Sequence, residues 1–129
     1  MNMGIWILML CIDLIVPAVM VGFGRWSLKG GPKDINWVFG YRTSMSMKNM
    51  DTWVFAHREI GRLWTKWGMV LAIASVTVLL LAFGQSEDMI GTVGSILMFA
   101  QLVPLIACIV PVERKLRETF DSDGNRKNG

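Results

Sequence analysis

The stretch from Phe39 to Trp67, FGYRTSMSMKNMDTWVFAHREIGRLWTKW, separates two strongly apolar parts of the chain. It is the only long segment that is not predominantly apolar, and it contains the only His and the only Tyr of the 129 residues. The sequence on either side of it has the character of a membrane anchor or of a polar tail. We therefore expect any specific site to lie at least partly within this stretch.

The composition indicates a membrane protein. Apolar residues make up 53% of the chain and charged residues 18%, below the usual share of about a quarter. The length suits a single domain. Two Cys and one His are too few for an ordinary zinc site, and no phosphate-binding loop, dinucleotide fingerprint or nucleophile elbow is present. We therefore expect no catalytic residue, no metal, no cofactor and no nucleic-acid partner.

Three apolar runs surround the central stretch. A helix rises about 1.5 Å per residue, so about 20 apolar residues cross a hydrocarbon core of roughly 30 Å. No basic residue precedes the first run and an acid lies inside it, which argues against a secretory signal peptide. The prediction is an all-α membrane domain over 1–120, with transmembrane helices at about 3–23, 68–83 and 90–112, a loop and an amphipathic helix over 24–67, and a disordered tail over 121–129.

The central stretch itself predicts a helix. Asn49 or Ser46 can cap its start, and Asp51 places an acid in the first turn. A projection at 100° per residue gives an apolar arc and an opposite polar arc, with His57 and Gly61 at the border. The apolar arc holds Trp53, Ala56, Ile60, Leu63, Trp64 and Trp67, and the polar arc holds Arg58, Glu59, Arg62, Thr65 and Lys66. Because nothing after Trp67 breaks a helix, this amphipathic helix can continue into the second span.

One acid, Asp13, lies near the middle of the first apolar run. A carboxylate at that depth costs at least about 2.5 kcal/mol on insertion scales, so it should face protein or water. Pro17, one turn later, should kink the helix or leave a carbonyl without its donor. Two interpretations stay open. Asp13 is either a functional residue, or a protonated acid that hydrogen-bonds a neighbouring helix, where the candidate partners are Ser75, Thr77 and Gln101.

The basic residues predict the orientation. The segment between the first two runs holds eight of them, the tail holds five, and the turn between the last two runs holds none. The eight are Arg25, Lys29, Lys33, Arg42, Lys48, Arg58, Arg62 and Lys66. Since cytoplasmic loops carry the excess of Lys and Arg, the N-terminus is expected outside and the C-terminus in the cytoplasm.

Several residues of the stretch stand at spacings that form a signature. It is a G-x-R-T element followed by W-x-x-[AT]-H-R-x-x-G-R-L, which here reads Gly40, Arg42, Thr43, then Asn49, Trp53, Ala56, His57, Arg58, Gly61, Arg62 and Leu63. This pattern resembles that of the SdpI family, the immunity proteins against the sporulation-delaying toxin of bacilli and their small bacterial relatives. The chain holds one such module with three spans, whereas the six-span immunity protein is about twice as long.

The resemblance implies a multi-pass protein of the bacterial inner membrane that confers resistance to a membrane-active peptide toxin. It also implies signalling through a cytoplasmic regulator, because the founding immunity protein holds a repressor at the membrane. The implied partners are thus a peptide toxin and a regulator. The candidate functional residues are Asp13, Gly40, Arg42, Thr43, Asn49, Trp53, His57, Arg58, Gly61 and Arg62.

Other interpretations remain open from the residues themselves. Arg42, His57, Arg58 and Arg62 beside several Trp can form a site for an anionic headgroup or ligand, or they can be ordinary interfacial anchors. A small lipid- or anion-handling protein, transporter-like or enzymatic, and a subunit of a larger complex are therefore alternatives. A lone His at a rim is usually structural, and a pair with Asp13 or Asp51 is disfavoured by spacing. Membrane lipid and a second copy of this small bundle are expected partners.

The orientation can be tested with a reporter fused after Gly129. An enzyme that is active only in the cytoplasm should be active at this position, because the tail carries five basic residues. The control is the same reporter inserted between Gln85 and Ser86, in the turn without basic residues, where it should be inactive. The reverse pattern of activities would show that the predicted orientation is wrong.

Overall fold

The structure, a computed structural model, describes residues 3–127. Four helices follow one another along the chain: α1 (Met3–Ser27), α2 (Met50–Leu81), α3 (Glu87–Ala107) and α4 (Ile109–Thr119). Within residues 3–127 there is no strand, and a single isolated bridge pairs Phe120 with Arg126. The predicted all-α class is confirmed.

Three helical stretches are long and apolar enough to cross a membrane. They are Met3–Ser27, Met50–Leu81 and Glu87–Thr119, the last formed by α3 and α4 together. One face of α3 leaves its apolar side chains uncovered: Ile96, Phe99, Val103 and Ile106 are each more than 60% exposed. Such a face is costly in water and suits the hydrocarbon region of a bilayer. The chain is a multi-pass membrane protein by these criteria.

Helix α2 begins at the cap that the sequence indicates. The Asn49 side chain accepts the backbone N–H of Thr52 at 2.9 Å, and the Thr52 hydroxyl accepts the backbone N–H of Asn49 at 3.1 Å. This reciprocal capping box satisfies two donors that a helix start otherwise leaves unpaired. From there α2 runs for 32 residues without a break. The helix predicted in the central stretch and the second span are therefore one continuous helix.

Two predicted boundaries are wrong. Helix α1 continues to Ser27, so residues 24–27 are helical and do not belong to the loop. The predicted disorder of 121–129 also fails for residues 121–127, because this segment folds back on the start of α2. Arg126 forms an ion pair with Asp51 at 2.8 Å, and the Asn49 amide donates to the carbonyl of Gly124 at 2.7 Å. Residues 128 and 129 lie outside the described residues.

Helices α1 and α2 pack at very short range through glycines. A Cβ on Gly61 would lie 2.6 Å from the carbonyl oxygen of Gly24, and a Cβ on Gly68 would lie 3.0 Å from the carbonyl oxygen of Pro17. Backbone therefore meets backbone at these points, which is how small residues associate helices in membranes. This explains why the glycine-rich end of α1 stays helical: α2 covers it directly.

Tryptophan indoles link the helices elsewhere. Trp6 of α1 donates to the carbonyl of Leu79 at 2.7 Å, and Trp64 of α2 donates to the carbonyl of Leu105 at 3.2 Å. The second bond joins α2 to the last turn of α3. Together the glycine contacts and the indole bonds hold α1, α2 and α3 as one bundle.

The helix crossing can be tested with Gly61→Ala. The added methyl has no space against Gly24, so we expect the free energy of unfolding in detergent to fall by about 1–3 kcal/mol, the usual cost of overpacking. The matched control is Gly22→Ala on α1, where an added Cβ meets nothing within 4 Å. Equal stability of the two variants in an SDS titration would contradict this account of the crossing.

Candidate functional site

The segment between α1 and α2, residues 28–49, folds back onto the first turns of α2. Two glycines allow this approach. Gly31 and Gly40 have φ angles of 75° and 118°, which other residues rarely adopt. A Cβ on Gly31 would overlap the His57 ring, and a Cβ on Gly40 would lie 3.0 Å from His57 Nε2. Both glycines are thus required by conformation and by space, and the loop covers His57.

His57 joins the loop to the helix. Its Nε2 accepts the backbone N–H of Tyr41 at 2.9 Å, and its Nδ1 lies 2.7 Å from the carbonyl oxygen of Trp53. Because Nε2 accepts a hydrogen bond, the proton of the neutral ring sits on Nδ1 and is donated to Trp53. The side chain is fully buried. His57 is thus a structural residue, as a lone His at this position usually is, and the loop encloses its ring.

Trp53 fixes the loop at a second point. Its indole donates to the carbonyl of Pro32 at 3.0 Å, and its ring centroid lies 4.4 Å from that of His57. Trp53 is fully buried, so the indole N–H has the partner that a buried donor requires. The two aromatic side chains of α2 thus hold both ends of the glycine-rich part of the loop.

A second group of bonds shapes the G-x-R-T element. The Ser46 hydroxyl donates to the carbonyl of Tyr41 at 2.9 Å and accepts the backbone N–H of Thr43 at 2.8 Å. Farther along the chain, the Thr52 hydroxyl donates to the carbonyl of Ser46 at 3.1 Å. The turn between Tyr41 and Ser46 is therefore tied to the start of α2 by its own side chains.

Helix α4 supplies an acid to the same loop. One oxygen of Glu113 accepts the hydroxyl of Tyr41 at 2.9 Å and that of Thr43 at 3.2 Å. Burial and the bond to Glu113 raise the pKa of Tyr41 above its usual range, so its hydroxyl remains a donor at physiological pH. The sequence interpretation did not include Glu113, because it lies 70 residues from Thr43 and outside the signature. The only feature of the sequence that points to Glu113 is that it is the first acid after the third apolar run.

The three arginines of the signature remain on the surface. Arg42 and Arg58 are exposed, and the Arg42 guanidinium lies 5.7 Å from the centroid of the Trp37 ring. Arg62 forms an ion pair with Glu59, which Lys115 of α4 also approaches to 3.5 Å. Because His57 is enclosed and the arginines are not, His57 does not belong to a surface site with them.

Beside Arg42, the loop exposes a run of apolar side chains. Trp37 and Val38 are 80% and 85% exposed, and Phe39 is stacked on Trp26 of α1 with 5.4 Å between ring centroids. We call Trp37, Val38, Phe39 and Arg42 the exposed tip. It is held in place from beneath by Gly40, Trp53 and His57.

Asp13 is buried in the middle of the bundle, apart from the loop. The Gln101 amide donates to the backbone carbonyl of Asp13 and to the Ser75 hydroxyl, each at 2.7 Å. Pro17 has no N–H to give that carbonyl, so Gln101 replaces the missing helical donor. The bond from the acid that one of the two interpretations requires is not formed: neither carboxyl oxygen has a partner within residues 3–127. Thr77, the third candidate, is exposed and bonds to the carbonyl of Ile73 instead.

The role of His57 can be tested by limited proteolysis. Replacing His57 by Ala leaves the Tyr41 N–H unpaired and buried, which costs about 1–3 kcal/mol, so the loop should open more often. We expect trypsin to cleave at Lys33 and Arg42 roughly tenfold faster. The control is Arg58→Ala, because Arg58 follows His57 in the helix and its side chain is exposed. Cleavage of both variants at the wild-type rate would contradict a clamping role.

Comparisons with known proteins agree with the arrangement of signature loop and spans. The family model of the SdpI/YfhL protein family matches residues 33–112, from the loop before the signature to the early part of α4. No curated protein and no solved structure matches the chain. Among residues 3–127 there is no group of three His, Cys, Asp or Glu that could hold a metal ion. Since the match covers more than half of the chain, the protein belongs to the SdpI/YfhL family.

Proposed function

We propose that the protein protects a bacterial inner membrane from a membrane-active peptide and that the exposed tip is the part that contacts the peptide. Membership of the SdpI/YfhL family supports the general role. The main support for this site is a difference in exposure among the residues of the signature and its loop. Gly40, Trp53 and His57 serve to build the loop, whereas Arg42 and the neighbouring side chains of Trp37 and Phe39 are exposed.

The chemistry of the exposed tip suits an amphipathic peptide. Trp37, Val38 and Phe39 offer apolar surface, and Arg42 offers a charge that pairs with a carboxylate or carbonyl oxygen. Phe39 of the tip stacks on Trp26 near the end of α1, so in a membrane the tip lies at interfacial depth, where Trp and Arg side chains are favoured. A peptide that partitions into the same interface would meet it there. With the orientation expected from the basic residues, this is the cytoplasmic side.

A second candidate function is the binding of anionic lipid headgroups by the same residues. The specific observation in its favour is the Arg42 guanidinium over the exposed Trp37 ring, a combination that anchors proteins at headgroup depth. Both candidates need Arg42 and differ in the ligand. Binding to vesicles that contain phosphatidylglycerol, without any gain in peptide resistance, would favour the lipid function.

Further partners follow from the same family role. A cytoplasmic regulator would meet the charged surface of α4, where Arg114, Lys115 and Arg117 are exposed. A second copy of the chain would cover part of the lipid-facing surface of α3. Both are proposals about this chain that the family role motivates.

Resistance can be measured in a toxin-sensitive bacterium that expresses the chain. We expect survival against the sporulation-delaying toxin, or against a panel of membrane-active peptides, to rise with the wild-type protein. Arg42→Ala and Trp37→Ala should lose at least tenfold of this protection at equal membrane abundance, because they remove the exposed tip and leave the loop bonds intact. The control is Lys48→Ala, an exposed basic residue of the same loop.

Two results would count against parts of the proposal. Wild-type survival no higher than that of cells with an empty vector, for every peptide tested, would remove the protective role. Protection that persists in both tip variants would leave the role standing and show that the peptide contacts another part of the protein.

A further inference from the structure

The centre of the bundle contains three fully buried polar side chains, one from each spanning helix. They are Asp13 of α1, Ser75 of α2 and Gln101 of α3. The Gln101 amide nitrogen donates to the carbonyl of Asp13 and to the Ser75 hydroxyl. Both of its hydrogens are thereby used, so the amide orientation is fixed and Oε1 is left as an acceptor. That oxygen has no partner within the described residues, and neither has either carboxyl oxygen of Asp13.

In this arrangement the two carboxyl oxygens of Asp13 and Oε1 of Gln101 have no hydrogen-bond donor or cation beside them within the described residues. An ionised carboxylate that is buried without a counter-charge is strongly unfavourable. The sequence supplies no counter-charge: residues 3–24 of α1, 67–81 of α2 and 89–107 of α3 hold no Lys, Arg, His or second acid. Cys11, the other titratable side chain on this part of α1, is exposed. The charge of Asp13 can therefore be balanced only by an ion from solution.

The packing around Asp13 keeps space for its carboxyl group. Gly94 of α3 lies beside the carboxyl group: a Cβ added there would overlap Met9 Cε and would lie 3.2 Å from Asp13 Oδ2. A larger residue at position 94 would therefore clash with Met9 and crowd the carboxyl group. The bundle thus accommodates a polar side chain at a depth where α1 is otherwise apolar.

We propose that Asp13, Ser75 and Gln101 form a binding site for one monovalent cation, a proton or a sodium ion, in the middle of the membrane-spanning bundle. The ligands are the oxygens that the fold leaves without donors, the two of the Asp13 carboxyl group and Oε1 of Gln101. A proton bound to the carboxyl group turns it into a donor for such an acceptor, and a sodium ion is held by the same oxygens. No covalent step is involved, and the site does not depend on the proposed protective function.

The site also sets how α1 and α3 pack. With the cation bound, Asp13 is neutralised and the helices stay close at Gly94. When the cation leaves, the carboxylate requires water, and water reaches it only if α1 and α3 separate. The bundle is therefore expected to loosen reversibly as the cation is removed.

The experiment is infrared spectroscopy of the full chain in phospholipid nanodiscs at about pH 7, where an exposed Asp, whose pKa is about 3.9, is ionised. The spectrum of Asp13→Asn is subtracted from that of the wild type, first in choline chloride and then in sodium chloride. A C=O band of a protonated carboxylic acid in both salts identifies a proton. A band seen in choline and lost in sodium identifies a sodium ion. No such band in either salt overturns the proposal.

A second variant keeps the test valid if Asp13→Asn does not fold. Gln101→Leu removes one of the proposed ligand oxygens but leaves the acid in place. We expect it to weaken cation binding at least tenfold, seen as a lower pH, or a higher sodium concentration, at the midpoint of the carboxyl band. The control is Thr77→Val, which removes a hydroxyl of α2 outside the cluster. An unchanged midpoint in Gln101→Leu would show that Asp13 stands alone and that no such site exists.

Discussion

The loop between α1 and α2 depends on the imidazole of His57. Its two nitrogens bond to the backbone in opposite directions, to the N–H of Tyr41 in the loop and to the carbonyl of Trp53 in the helix. Only a neutral ring with its proton on Nδ1 makes both bonds. Gly31 and Gly40 are needed because the loop passes directly over this ring. Several residues of the family signature therefore serve to fold the loop onto α2.

The candidate residues differ in the part of the structure that they serve. Gly40, Thr43, Asn49, Trp53 and His57 position the backbone, and Gly61 brings α1 and α2 together. Arg42, Arg58 and Arg62 stay at the surface, where Arg62 already has Glu59 as a partner. Asp13 belongs to a different region altogether, the centre of the bundle. The ten residues therefore serve four separate parts of the molecule: the loop, the crossing of α1 and α2, the surface and the centre of the bundle.

The sequence allowed the fold class and the three spans to be predicted, and it gave Asn49 as one of two candidate caps, because apolar runs and capping residues act locally. The end of α1 was predicted wrongly since Gly22 and Gly24 indicate a loop until the partner Gly61 is known. The segment 121–127 is polar in composition, and its bonds to Asn49 and Asp51 cross some 75 residues of chain. The burial of His57 could not be predicted, because a helical projection contains no information about what covers the helix.

The bonds from Glu113 and from Gly124 have a consequence for the order of assembly. Both residues are synthesised after α3, yet they complete the loop and the start of α2, which leave the ribosome much earlier. A nascent chain can insert its first two spans, but the hydroxyls of Tyr41 and Thr43 then still lack Glu113, and the Asn49 amide still lacks the carbonyl of Gly124. The loop becomes fully bonded only once the last span is in place. A fully bonded loop is therefore present only in a chain whose last span has been inserted.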